Sequence, residues 1–203
     1  MIFRIVRSIG AAALAGGICF GGAHAQGQEP FLGKTLTRTF LQHLSASPAV
    51  VFPLMSPAGE EKWAYGWNPE FISQGAESGA AGTIFRIHNE EEGEDSIWFL
   101  REWDREAWKG EYIIYYSASR LTVLRFILKS DGPDRCQALI AYTWTALTPS
   151  GNRFIEQHSG PYFEQYMKLW EASLNHYLKT GQMLKDTTEL SHPQKPIIKK
   201  QDR

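Results

Sequence analysis

The sequence predicts an α+β fold in which one antiparallel β-sheet packs against a long C-terminal α-helix. Two observations carry this. Between residues 82 and 148, strand-like segments follow one another through short links, the mark of antiparallel pairing. From residue 163 the apolar period changes from two to three and four, the mark of an amphipathic helix.

The elements follow in order. Met1 to Ala25 carries Arg4 and Arg7, then a short apolar run broken by glycines, then Ala23-His24-Ala25 with small residues where a signal peptidase reads. This predicts a secretory signal peptide rather than a membrane span. Ile18 before Cys19 does not suit a lipobox. Residues 34–44, KTLTRTFLQHL, alternate β-branched and aromatic positions and predict a first strand. Ser47 can cap a helix beginning at Pro48, and Pro53 keeps it short. Residues 61–71, EKWAYGWNPEF, are too interrupted for a long helix and too aromatic for an ordinary solvated loop. PEFISQG, which overlaps their end, is a short strand candidate.

GTIFRIH (82–88) and SIWFLREWD (96–104) predict two strands around the acidic connection 89–95. That connection lacks the alternating ligand spacing of a calcium loop and reads as a solvated hairpin tip. EYIIYYS (111–117), RLTVLRFILKS (120–130) and QALIAYTWTALT (137–148) continue the meander, with Asp131-Gly132-Pro133 as a turn. Phe163, Tyr166, Met167, Trp170, Leu174, Tyr177 and Leu178 then form one helical stripe, with Pro161 in its first turn and Gly181 past its end. The polar tail, with Pro193, Pro196 and several lysines, predicts a disordered end. The domain plan is a signal peptide over 1–25, a short segment over 26–33, one folded domain over 34–182 and a tail over 183–203.

Composition narrows the function. Loss of Arg4 and Arg7 from 21 basic residues, against 22 acidic ones, leaves a net charge of about −3. There is no basic excess to hold nucleic acid. Cys136 is then the one remaining thiol, so no intramolecular disulfide forms, and it reads as a small apolar strand residue.

The succession of motifs resembles the START/polyketide-cyclase-like (SRPBCC) superfamily over about residues 34–180. It rests on the strand order, Ala46-Ser47-Pro48-Ala49-Val50-Val51-Phe52 after the first strand, Trp63 and Trp67, and Gly82-Thr83-Ile84-Phe85. Trp103-Asp104 closing a strand, Gly151 before the final segment, and the Phe163/Met167/Trp170/Leu174 stripe complete it. The resemblance implies the helix-grip fold: a curved sheet gripping the C-terminal helix, two short helices after the first strand, and an internal cavity. Some members are cyclases, aromatases or hydrolases; many only bind or carry a lipid, sterol or aromatic molecule.

In that arrangement Trp63, Tyr65 and Trp67 lie near the cavity mouth; alternatively, both tryptophans plug the sheet against the short helices. Strand parity puts Ile140, Tyr142 and Trp144 on one face, the bulkier one, toward the helix. Placing Trp103 inward takes Phe99 and Arg101 with it and turns Trp98, Leu100 and Glu102 outward. Thr83, Phe85 and Ile87 form the matching set. An inward Arg101 needs a carboxylate, either a ligand's or a protein side chain's. Met167 and Trp170 line the site from the helix. The candidate ligand-binding set is therefore Trp63, Trp67, Phe85, Phe99, Arg101, Tyr142, Trp144, Met167 and Trp170.

No nucleophile elbow, H-E-x-x-H, C-x-x-C or phosphate loop is present. His43, His88 and His158 have no recognisable catalytic or metal-ligating partner in sequence, and His88 falls on the outward parity. The expectation is an exported, periplasmic or secreted protein that binds a small hydrophobic ligand (lipid, sterol-like or aromatic) without cofactor or metal. A cyclase or dehydratase polarising a carbonyl through Arg101 or Tyr142 is the alternative. An interaction module whose aromatics are all core is the third reading.

Overall fold

The computed structural model describes residues 31–73, 79–88 and 94–185. The predicted signal peptide, residues 89–93 of the acidic connection, and the tail from residue 186 lie outside the described residues. The chain runs β1 (Thr35–Leu44), α1 (Pro48–Val51), a 3-10 turn (Phe52–Met55) and α2 (Pro57–Glu60). Then come β2 (Glu70–Ser73), β3 (Ile84–Ile87), β4 (Ser96–Asp104), β5 (Lys109–Tyr116), β6 (Arg120–Ser130) and β7 (Cys136–Ala146). Helices α3 (Pro149–His158) and α4 (Pro161–Thr180) close the fold. The strands form one seven-stranded sheet in the order β1-β7-β6-β5-β4-β3-β2, every neighbour antiparallel. The sequential strands β2 to β7 make the meander, and β1 closes it beside β7.

At 20 residues, α4 is about 30 Å long. It buries Phe163, Met167, Trp170 and Leu174 of the stripe its period predicts, with Ser173 beside them; Tyr177 and Leu178 are partly buried, and Tyr166 is exposed. It ends where Gly181 takes a φ of 69°, a left-handed cap that favours glycine. The helix also covers the sheet edge at β1. Glu171 accepts a hydrogen bond from the His43 backbone N–H at 3.1 Å, and Asn175 accepts from Ser45 N–H at 2.9 Å while donating to His43 O at 2.8 Å. Buried Gln42 donates to Met167 O at 3.2 Å. Open edge groups thus acquire partners, which guards this edge against pairing with another chain.

Helix α3 is not among the sequence expectations. Its apolar content is sparse, with Phe154 and Ile155 at its centre, so no stripe announces it. The signal was at its start: Thr148 accepts from Gly151 N–H at 3.3 Å, and Pro149 occupies the first position. Gly151 is required by proximity, since a Cβ there would lie 2.1 Å from Ser119 O.

Strand parity fails in β4. Leu100 pairs with Tyr112, but Glu102 pairs with Glu111, so Arg101 is an extra residue in a β-bulge. Before the bulge Trp98 and Leu100 are buried; after it Trp103 packs on Phe52 and Phe126, at 4.1 and 5.8 Å between ring centroids. Counting back from Trp103 without the bulge inverts the strand. Phe99 and Arg101 therefore do not line the interior: Phe99 is 36% exposed, and Arg101 lies on the outer face.

Candidate ligand-binding site

The aromatic segment after α2 is shaped by hydrogen bonds to the short helices before it. Ser56 caps α2 by accepting from Gly59 N–H at 3.0 Å. The helical path runs past α2, because Trp63 and Ala64 N–H both donate to Glu60 O, at 3.1 and 2.8 Å. The Trp63 indole donates to Leu54 O and the Trp67 indole to Pro57 O, each at 2.8 Å. An indole N–H needs such a partner when buried. Gly66, at a φ of 81°, lets the chain bend between them.

Trp63 lies fully inside and meets Trp170 of α4 edge-on at 5.5 Å. Trp67 is half-buried and edge-on to Phe85 and Trp98, at 5.9 and 5.2 Å. Tyr65 is exposed. Thus Trp63 packs in the core, whereas Trp67 sits at its boundary. Tyr142 and Trp144 stack at 5.6 Å, with Phe163 edge-on to both. Met167 is fully buried. Seven of the nine sequence-derived positions therefore belong to one aromatic layer between sheet and helices; Trp98 and Tyr112 join them in place of Phe99 and Arg101.

Sequence reasoning missed Glu60. This last residue of α2 is 3% exposed, and its carboxylate Oε2 has no hydrogen-bond partner. Burial pushes its pKa well above the ordinary carboxylate value, so the carboxyl holds its proton more readily than a solvated one. Its charge acts on three tyrosine hydroxyls. Burial raises Tyr112 and Tyr142 well above the usual phenol value; the Glu60 charge adds to both, and Tyr166 and Tyr116 add to Tyr142. Tyr166 is raised by burial first, then by Tyr116 and Glu60, although 38% of its surface is in water and screens part of this. The Tyr112 hydroxyl is engaged, donating to Met55 O at 2.9 Å. Nearby side chains keep some accessible surface: Tyr142 7%, Trp144 6% and Trp170 8%. An acid on a short helix after Pro-Ala-Gly carries no sequence mark of burial.

Arg101 has a different employment. On the outer face it binds Glu111, which Arg125 holds from the other side at 2.5 Å. Burial alone would raise the Glu111 pKa, but hydrogen bonds from Arg101 and Arg125 and their charges outweigh it and hold it below the usual range. A protein carboxylate, not a ligand, is the partner.

A cavity of about 300 Å³ opens near the β4–β5 turn, bordered by Phe52, Pro53, Ser56, Trp103, Arg105 and Trp108, with no residue of α4 lining it. The cavity expected from the resemblance was between sheet and helix. His88 is exposed and contacts Glu70 at 3.3 Å; His158 stacks on Phe154 at 4.0 Å. Among the described residues no three of His, Cys, Asp and Glu come together as a metal-ligating group.

No family profile and no curated protein sequence matches the chain. Solved structures do. Norcoclaurine synthase from Thalictrum flavum superposes with a TM-score of 0.56 at 13% identity, over 73% of this chain and 88% of that one. Ara h 8.0201 gives 0.51 at 14% identity, over 72% and 99%. The di-domain ARO/CYC BexL of the BE-7585A biosynthetic pathway gives 0.52 at 13% identity, over 72% and 46%. At such identities the likeness shows the fold alone: the chain has the helix-grip fold, a curved antiparallel sheet with a long C-terminal helix.

Proposed function

We propose that this is an exported protein that binds a small, largely hydrophobic molecule in the aromatic layer between the sheet and α4. The observation that carries the reading is Glu60. A carboxylate oxygen buried without a partner costs stability, and the layer is mainly apolar and aromatic, with Thr122 on β6 as a second buried polar group whose oxygen has no hydrogen-bond partner. An apolar site with one or two placed polar groups is the usual make-up of a small-molecule site. The leader pattern over residues 1–25 supports export. Synthases and cyclases of the same fold support small-molecule work in general.

Native mass spectrometry of protein purified from its own host tests this, together with titration of a naphthyl probe followed by tryptophan fluorescence. A co-purifying small molecule, or saturable quenching at one site per chain, is the expected result. No apolar compound binding above non-specific levels would sink the proposal. A second reading, a cyclase- or dehydratase-type enzyme, is favoured by the same acid, whose charge acts on the Tyr142 hydroxyl, since both groups can donate protons to a carbonyl. Turnover abolished by Glu60→Gln, with binding retained, would distinguish it.

A further inference from the structure

The binding reading leaves the chemistry of the ligand open, and the environment of Glu60 narrows it. The carboxylate Oε2 is buried without a hydrogen-bond partner, and among the described residues no ion pair is formed at Glu60. The cationic side chains that bind acids do so elsewhere: Arg101 and Arg125 on Glu111, Arg120 on Glu94, Arg86 on Glu70, and Lys109 on Glu102. Aromatic side chains are among the neighbours of Glu60. Trp63 lies one turn further along the same helical path and meets Trp170. The charge of Glu60 reaches hydroxyls on β5, β7 and α4.

Resting on the binding reading above, we propose that the ligand is an organic amine on an apolar body, with Glu60 as its counter-ion. Three physical points select this class. A ligand carboxylate or phosphate would meet like charge once Glu60 ionised. A purely hydrocarbon ligand would leave the carboxyl as unsatisfied as before, so it would gain nothing from the acid's position. A cation neutralises the acid and is attracted to the faces of tryptophan and tyrosine rings. Attraction in such a low-dielectric setting is stronger than in water.

The proton balance is simple. In free protein the carboxyl tends to hold its proton. An alkylamine arrives from water as the ammonium ion, so forming the ammonium–carboxylate pair releases the Glu60 proton to solvent. An amine arriving neutral takes that proton directly from the carboxyl to its nitrogen. Tyr112, Tyr142 and Tyr166, the titratable groups the Glu60 charge reaches, are all raised and keep their protons throughout. Ammonium binding therefore strengthens with pH, by up to about tenfold per unit while Glu60 is protonated in the free protein.

The test compares 2-(1-naphthyl)ethylamine with 2-(1-naphthyl)ethanol, its neutral counterpart, by calorimetry on the purified protein. The amine should bind at least about tenfold more tightly at pH 7.5, with affinity rising from pH 5.5 to 7.5, while the alcohol stays flat. Glu60→Gln should abolish both the preference and the pH slope. Equal or tighter binding of the alcohol to wild type overturns the amine assignment and leaves the binding reading standing. Failure of both compounds to bind overturns both. A preference that survives in Glu60→Gln also overturns it. If Glu60→Gln does not fold, the wild-type comparison decides alone.

Discussion

Glu60 and Glu111 show how one residue type acquires opposite behaviour from its neighbours. Burial raises the pKa of Glu60, which forms no ion pair among the described residues; its contribution to stability is intact below the unfolded value, near 4.5, and is lost as pH climbs through the folded value. Glu111 is also enclosed, but Arg101 and Arg125 hold its pKa down, so its contribution is present at neutral pH and is lost on acidification through the folded value. Glu60→Gln should therefore raise Tm at pH 7 relative to wild type, with the gap closing toward pH 4. Thermal scans across that range check it, and a gap independent of pH would place Glu60 in solvent. Arg101→Met should leave the affinity for any interior ligand unchanged, because the guanidinium lies on the outer face with Glu111. A calorimetric loss of affinity would return Arg101 to the site. Neither placement was legible in the sequence. Alternation assigns a face only while the register is regular, and one inserted residue at position 101 reverses it. Nothing in PAGE distinguishes a buried acid from a solvated one.

Among the elements, the strongly periodic ones were legible. The stripe of α4 names its buried face, and the segment bounds 161–180 follow from Pro161 and Gly181. The alternation of β7 correctly separates Ile140, Tyr142 and Trp144 from their outward neighbours. Helix α3 escaped because its anchorage is a backbone fit, Gly151 against Ser119, rather than an apolar stripe. The packing of α4 is testable through Trp170, which touches both Trp63 and Tyr166. Trp170→Ala should cost roughly 3–5 kcal/mol in denaturant unfolding, the scale of a core aromatic deletion. A loss below about 1 kcal/mol would put this side chain outside the core. Trp67 offers a contrast, since it is only half-buried at the layer's boundary. Trp67→Ala should weaken binding of the naphthyl probe by a larger factor than it lowers the unfolding equilibrium. The reverse ordering would make Trp67 packing alone.

For the whole molecule, stability rests on the core, because cross-linking has no place in the expected mature chain. If the leader is cut after Ala25, Cys19 departs with it and Cys136 is left as the single thiol. Cys136 is buried on β7, and burial pushes its pKa up to about 11, so the reactive thiolate is scarce at neutral pH. Such a protein can pass into an oxidising compartment without acquiring an intramolecular disulfide. Two measurements on protein recovered from the cell envelope follow. Intact mass should correspond to a chain beginning at or near Gln26, with Cys136 unmodified. Excess dithiothreitol should leave the Tm unchanged, since no bond is there to break. A mass retaining Met1 would end the export reading. A reductant-dependent fall in Tm would show that Cys136 is cross-linked to another molecule, and that the strand carrying it opens far enough to react.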